Sequence, residues 1–205
     1  GKILVAGSTY DPVSREDFAL VRYNSDGSLD SLFSDDGIVS VDIGGLFDYG
    51  YSVAIQADGK ILVAGSIYNY YHSGVEGDWS FALLRFNGDG SLDSTFSEDG
   101  IVTTAIGAGS DQGFSVSIQE DGKIVVAGST YAGVNHFNDN LALVRYNTDG
   151  SLDTTFGPQL GSVGGSAIVF VEQSTPVIMA SLAEVFDADL EALALGSDGT
   201  PARGL

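Results

Sequence analysis

Short apolar stretches rich in Val, Ile, Leu and aromatic residues alternate with clusters of Gly, Asp, Asn and Ser along most of the chain. That punctuation predicts strands joined by tight turns. The pattern also repeats. GKILVAGS occupies 1–8 and recurs at 59–66, and GKIVVAGS fills 122–129. FALVRYN at 18–24 becomes FALLRFN at 81–87 and LALVRYN at 141–147, while DGSLD stands at 26–30, 89–93 and 149–153. YSVAIQADG at 51–59 returns as FSVSIQEDG at 114–122.

Spacing locates the variable part of the unit. Ala19 to Gly59 and Ala82 to Gly122 both span 40 residues. Ser8 to Ala19 spans 11, Ser66 to Ala82 spans 16, and Ser129 to Ala142 spans 13. One connection per repeat, within Thr9–Asp17, Ile67–Asp78 and Thr130–Asn140, therefore changes length while the rest keeps register. The complete middle unit reads as four strands, near Tyr51–Gln56, Lys60–Gly65, Phe81–Phe86 and Ile101–Ile106. Asp58-Gly59 suits a tight hairpin turn. Ile61-Leu62-Val63-Ala64 is a continuous apolar run, which implies burial on both faces. Stacked blades of a propeller supply that environment. The expected fold is all-β: tandem four-stranded antiparallel blades of a truncated β-propeller.

These motifs, with Phe33, Phe96 or Phe156 following each DGSLD, resemble the bacterial delta-60 repeat over about residues 1–157. The resemblance implies propeller blades in a large exported or cell-surface protein and supplies no catalytic residues. The sequence starts inside a repeat, and the third repeat breaks off at Gly157-Pro158. The expectation is one complete and two partial blades, the missing blades of the parent chain being natural partners.

Beyond 157 the composition changes. Residues 158–166 read as a Gly/Ser linker and 167–205 as a truncated second module. Ala167–Val171 is a strand candidate. Leu182, Val185, Phe186, Leu190 and Leu193 sit near helical spacing. Against that helix, Phe170-Val171-Glu172 with the later Asp187-Ala188-Asp189 resembles the opening of a cadherin-like or RTX-associated adhesin module. The resemblance makes Glu172, Asp187 and Asp189 candidate metal ligands.

Charge narrows the partners. Twenty-eight acidic residues against eight basic give a net −20, which disfavours nucleic acid, whose recognition relies on cationic contacts to phosphate. No apolar run is long enough to insert in a membrane as a helix. Many carboxylates suit Ca²⁺, and weak Ca²⁺ binding is the one cofactor expectation. With no cysteine there is no thiolate chemistry. The Asp-Gly turns, with Asn24, Asp26 and Asp30 and their repeats, fit Asx-turn hydrogen bonding better than a Ca²⁺ loop. Arg22, Arg85 and Arg145 recur as structural partners for those turns.

The variable connections carry the candidate ligand-binding residues: Tyr68, Tyr70, Tyr71, His72 and Trp79 in the second, Tyr131, His136 and Phe137 in the third. Aromatic rings on a rigid scaffold suit a carbohydrate or protein ligand. The expected role is a noncatalytic scaffold or adhesion platform. The alternative is a fragment of a propeller enzyme, a metal-dependent lactonase or hydrolase, for which no nucleophile elbow or phosphate loop is found.

Overall fold

The structure, a computed structural model, describes residues 1–13, 15–69, 77–106, 110–131 and 139–156, and the strand backbones of 168–172 and 175–179. Every regular element among them is a strand. The first sheet is β1 (Ile3–Asp11), β2 (Arg15–Tyr23) and β3 (Ile38–Val41), in that order. The middle sheet is β4 (Asp48–Ile55), β5 (Ile61–Asn69), β6 (Asp78–Phe86) and β7 (Ile101–Thr104). The third contains β8 (Asp111–Ile118), β9 (Ile124–Tyr131) and β10 (Asp139–Tyr146). All pairs are antiparallel. Residues 1–154 form one compact unit and 155–205 another. In the latter, β11 (Ile168–Glu172) pairs with β12 (Thr175–Met179), so Ile178 and Met179 belong to a strand. Residues 180–205, where the remaining helix and adhesin expectations fall, lie outside the described residues.

Two-sided burial of the middle sheet explains its continuous apolar runs. Ile61, Val63 and Ile67 of β5, with Ala82, Leu84 and Phe86 of β6, pack with Phe18, Leu20, Phe33 and Val39 of the first repeat. The alternate positions Leu62, Ala64, Phe81 and Leu83 pack with Ile124, Val126, Val144 and Tyr146 of the third. Opposite pointing of successive side chains sends each strand into two cores. In β1 the same sequence is exposed on one side, with Ile3 and Val5 about half accessible.

A repeated polar clamp fixes the turn end. Arg85 Nε donates to Asp93 Oδ2 at 2.7 Å, and Lys60 Nζ lies 2.7 Å from the same oxygen. Arg22 and Lys2 repeat this on Asp30, and Arg145 and Lys123 on Asp153. Arg85 Nη1 also donates to the Thr148 carbonyl of the following repeat at 2.6 Å, and its guanidinium lies 4.4 Å from the Phe96 ring centroid. Burial opposes ionisation of Asp93, but bonds from Lys60 and Thr95 and the charge of Arg85 outweigh it, holding the carboxyl well below the usual range. Arg22, which donates to the Gly88 carbonyl, and Arg85 thus stitch repeat to repeat. The turn aspartates are engaged locally: Asp89 Oδ1 accepts from the Ser91 amide at 3.0 Å and hydroxyl at 2.7 Å. Asp26 and Asp149 do the same with Ser28 and Ser151.

Candidate functional site

The hairpin order puts the β4–β5 turn and the β6–β7 connection at one end of the middle sheet. The β5–β6 connection leaves at the opposite end. Part of what the sequence suggests as loop there is strand. Thr9 pairs with Asp17 and Asp11 with Arg15; Ile67 pairs with Ser80, Tyr68 with Trp79 and Asn69 with Asp78. Facing β-branched and aromatic side chains carry the ladder past the conserved-length register, since such cross-strand pairs stabilise a sheet. Tyr68 and Trp79 are consequently a cross-strand pair on a rigid hairpin.

That pair belongs to a cluster of six rings. Tyr68 and Trp79 have centroids 5.1 Å apart, Trp79 and Tyr49 5.5 Å, and Phe47 and Tyr68 6.0 Å. Tyr49 lies 6.0 Å from Tyr51, which lies 5.5 Å from Phe114 of the next repeat. Phe47 precedes β4 directly, and Tyr49 and Tyr51 follow at alternate positions, so β4 (the inner strand of its sheet, as β8 is of the third) and the residue before it supply half the cluster. A bulge between Gly50 and Ser52 resets the register at Tyr51. Gly50 lets the chain approach the preceding repeat: a Cβ there would stand 2.8 Å from the Gly7 carbonyl oxygen. Tyr51 and Phe114 occupy equivalent repeat positions and are 43% and 46% exposed, offering ring faces to solvent. Burial, then the charge of Glu16, raises the Tyr49 phenol; burial and Tyr49 raise Tyr51. Both stay protonated and able to donate.

Beside Phe47 and Tyr49, three carboxylates meet. One oxygen each of Asp17, Asp42 and Asp48 lies within 4.8 Å of the others. Asp48 is fully buried, and its Oδ2 accepts from the Ile43 amide at 3.0 Å. Burial, then the charges of Asp42 and Asp17, push its carboxyl up to about 6 against the pull of the Ile43 and Gly45 amides. The sequence gives little warning of this trio. Asp17 ends a variable connection, and Asp42 and Asp48 flank a stretch of irregular chain.

Of the residues suggested by sequence, Tyr68 and Trp79 are brought together. Tyr70, Tyr71, His72, His136 and Phe137 lie outside the described residues, as do the side chains of Tyr131 and Glu172 and all of Asp187 and Asp189. Phe47, Tyr49, Tyr51 and Phe114 are additions. Tyr51 and Phe114 share one recurring aromatic position, which periodicity alone reads as core, whereas Phe47 and Tyr49 have Ser110 and Gln112 as their counterparts in the next repeat.

A family model described as a β-propeller domain of unknown function, DUF5122, matches residues 1–33, 56–96 and 119–156. The chain belongs to the DUF5122 β-propeller family. The DUF5122 segments cover β1 and β2, β5 and β6, β9 and β10 and the Asp-Gly turns that follow. Phe47, Tyr49, Tyr51, Phe114, Asp42 and Asp48 all fall between the matched segments. The family signature therefore describes the scaffold, and most of the candidate site is built from the intervening chain. No curated protein matches the sequence.

Proposed function

We propose that this chain is a noncatalytic propeller module of an exported or cell-surface bacterial protein, and that its aromatic end is a carbohydrate-binding platform. The observation carrying the reading is the six-ring cluster, ending in the half-exposed pair Tyr51 and Phe114. Flat ring faces with phenol donors at their edges suit the alternating C–H and hydroxyl surfaces of a sugar. Rigid hairpins beneath the rings lower the ordering cost of binding. The net charge of −20 favours uncharged glycans over acidic ones. The order of the repeat motifs supports placing the module with the delta-60 repeats of exported proteins, and with an adhesive role for the parent chain. Trp79, the single tryptophan, provides the test. Titration with cellohexaose, mannohexaose or chitohexaose shifts its emission if sugars stack on the cluster. Unchanged emission with all three, together with binding of a protein ligand at the same rings, would replace the carbohydrate reading.

A further inference from the structure

We propose that the open face of the first repeat docks the third repeat of a second copy of this chain, head to tail, closing a dimer. What that face accepts can be read from the chain itself, which builds the same junction twice. Toward the repeat before it, the middle sheet presents Ile61, Val63, Ala82, Leu84 and Phe86, all covered by the first repeat. The third sheet presents Ile124, Val126, Ala142, Val144 and Tyr146, all covered by the middle repeat. In the first repeat the matching positions are Ile3, Val5, Ala19, Val21 and Tyr23. Ile3 and Val5 are 52% and 48% exposed, where Ile61 and Val63 are 2% and 1%. Leu29 and Ile38, at the positions of Leu92 and Ile101, extend the exposed apolar face.

A second observation, on polar groups, is independent of that face. At each internal junction the arginine of one repeat donates to a turn carbonyl of the next: Arg22 Nη1 to Gly88 at 2.5 Å and Arg85 Nη1 to Thr148 at 2.6 Å. Beside them the Ser34 amide donates to the Asp89 carbonyl and the Ser97 amide to the Asp149 carbonyl, both at 2.9 Å. The Phe33 ring covers Gly90 and the Phe96 ring covers Gly150, so a Cβ there would stand 3.1 and 3.0 Å from the rings. The first repeat has the same turn, with Ser25, Asp26 and Gly27 in the accepting places, all exposed. A Cβ at Gly27 would meet nothing within 4 Å, and among the described residues no bond reaches the Ser25 or Asp26 carbonyl.

The complementary half lies on the third repeat. Val125, Ala127, Leu141 and Leu143 hold the positions of Leu62, Ala64, Phe81 and Leu83, which bury against the following repeat. Leu141 is exposed where Phe81 is fully buried, and Arg145 stands in register with Arg22 and Arg85. The chain therefore carries both halves of a junction that it makes twice internally, and a second copy supplies the mate to each. A contact between unlike faces of identical chains either closes or grows without limit. Propellers close at about 4–8 blades, and whole copies of three repeats fall in that range only as a pair. The net charge of −20 on each copy opposes the contact, so added salt strengthens it.

Sedimentation of the full chain at high micromolar concentration reads the assembly. The expected species is a dimer, favoured as NaCl rises from about 0.1 to 1 M and the Debye length falls from about 10 to 3 Å. Val5→Lys blocks the first-repeat face and Leu141→Lys the third-repeat face. A lysine buried there weakens the contact about a hundredfold or more, so each variant alone is expected as a monomer. Mixed in equal amounts, the two variants dimerise again through a single junction, because the intact third repeat of one meets the intact first repeat of the other. Edge-to-edge pairing of two β1 strands gives the opposite pattern: Leu141→Lys keeps the dimer, and mixing restores nothing. Should Val5→Lys fail to melt as a folded protein, Leu29→Lys, exposed on the same face, takes its place. A monomeric wild-type chain overturns the proposal and leaves the face to a further repeat of a longer chain. A Leu141→Lys dimer, a mixture that stays monomeric, or oligomers that grow without limit overturn it as well.

Discussion

Gly7, Gly65 and Gly128 are the same residue of one repeated motif, Val-Ala-Gly-Ser, in three environments. A Cβ at Gly65 would overlap the Tyr49 carbonyl oxygen and stand 2.8 Å from Phe18 Cζ. At Gly128 it would overlap the Gln112 oxygen and stand 2.7 Å from Phe81 Cζ. At Gly7 nothing lies within 4 Å. The difference is the inner strand: β4 bulges over β5, and β8 over β9, while β1 has no such neighbour among the described residues. Overpacking costs about 1–3 kcal/mol when side chains can yield. Here the obstacle is main chain, so Gly65→Ala should cost at least about 2 kcal/mol. Gly7→Ala meets no obstacle and should gain up to about 0.5–1 kcal/mol from lost unfolded-state freedom. Urea denaturation followed by Trp79 emission reads both. Equal losses in the two variants, or a neutral Gly65→Ala, would refute the inner-strand packing.

Phe96→Ala removes a ring that is 0% exposed and lies against Arg85 and Gly150; a loss of about 3–5 kcal/mol in urea unfolding is expected, and a loss below about 1 kcal/mol would show that the repeats do not pack through it. The carboxyl of Asp93 is held below its unfolded value, so its contribution is complete above the ordinary carboxylate range and is lost progressively as pH falls below that range toward the depressed folded value. Asp93→Asn should therefore be less stable than wild type at neutral pH, with the gap closing in acid; a gap that widens in acid would contradict the clamp. The edge of β1 that is unpaired among the described residues, with Ile3 and Val5 about half exposed, should make this chain associate as concentration rises, and Val5→Lys should suppress it. Sedimentation showing a clean wild-type monomer at high micromolar concentration would count against that.

The repeat architecture was legible because every blade reuses one register: matched spacing located the strands, and the unbroken run Ile61–Ala64 announced two packed faces. The role of Arg85 was also legible from its recurrence, although its second partner on Asp93, Lys60, was not, since the two lie on different strands. Periodicity alone reads the apolar positions of β4 as core. The aromatic positions of that strand instead continue toward the far end, and only the bulge at Gly50 shows how Tyr51 turns to meet Phe114. The Asp17, Asp42 and Asp48 trio depends on three segments meeting at a junction, which no spacing along the chain reports.

The most direct test of a ligand platform at the aromatic end is retention on an immobilised glycan array, compared between two variants. Tyr51→Ser/Phe114→Ser removes the two half-exposed rings; Asp26→Asn/Asp89→Asn/Asp149→Asn changes the turn end and leaves the rings in place. Retention lost in the first variant and kept in the second, with both melting as folded proteins, is the predicted result. Retention kept in the first and lost in the second would put the ligand on the opposite end and contradict the account.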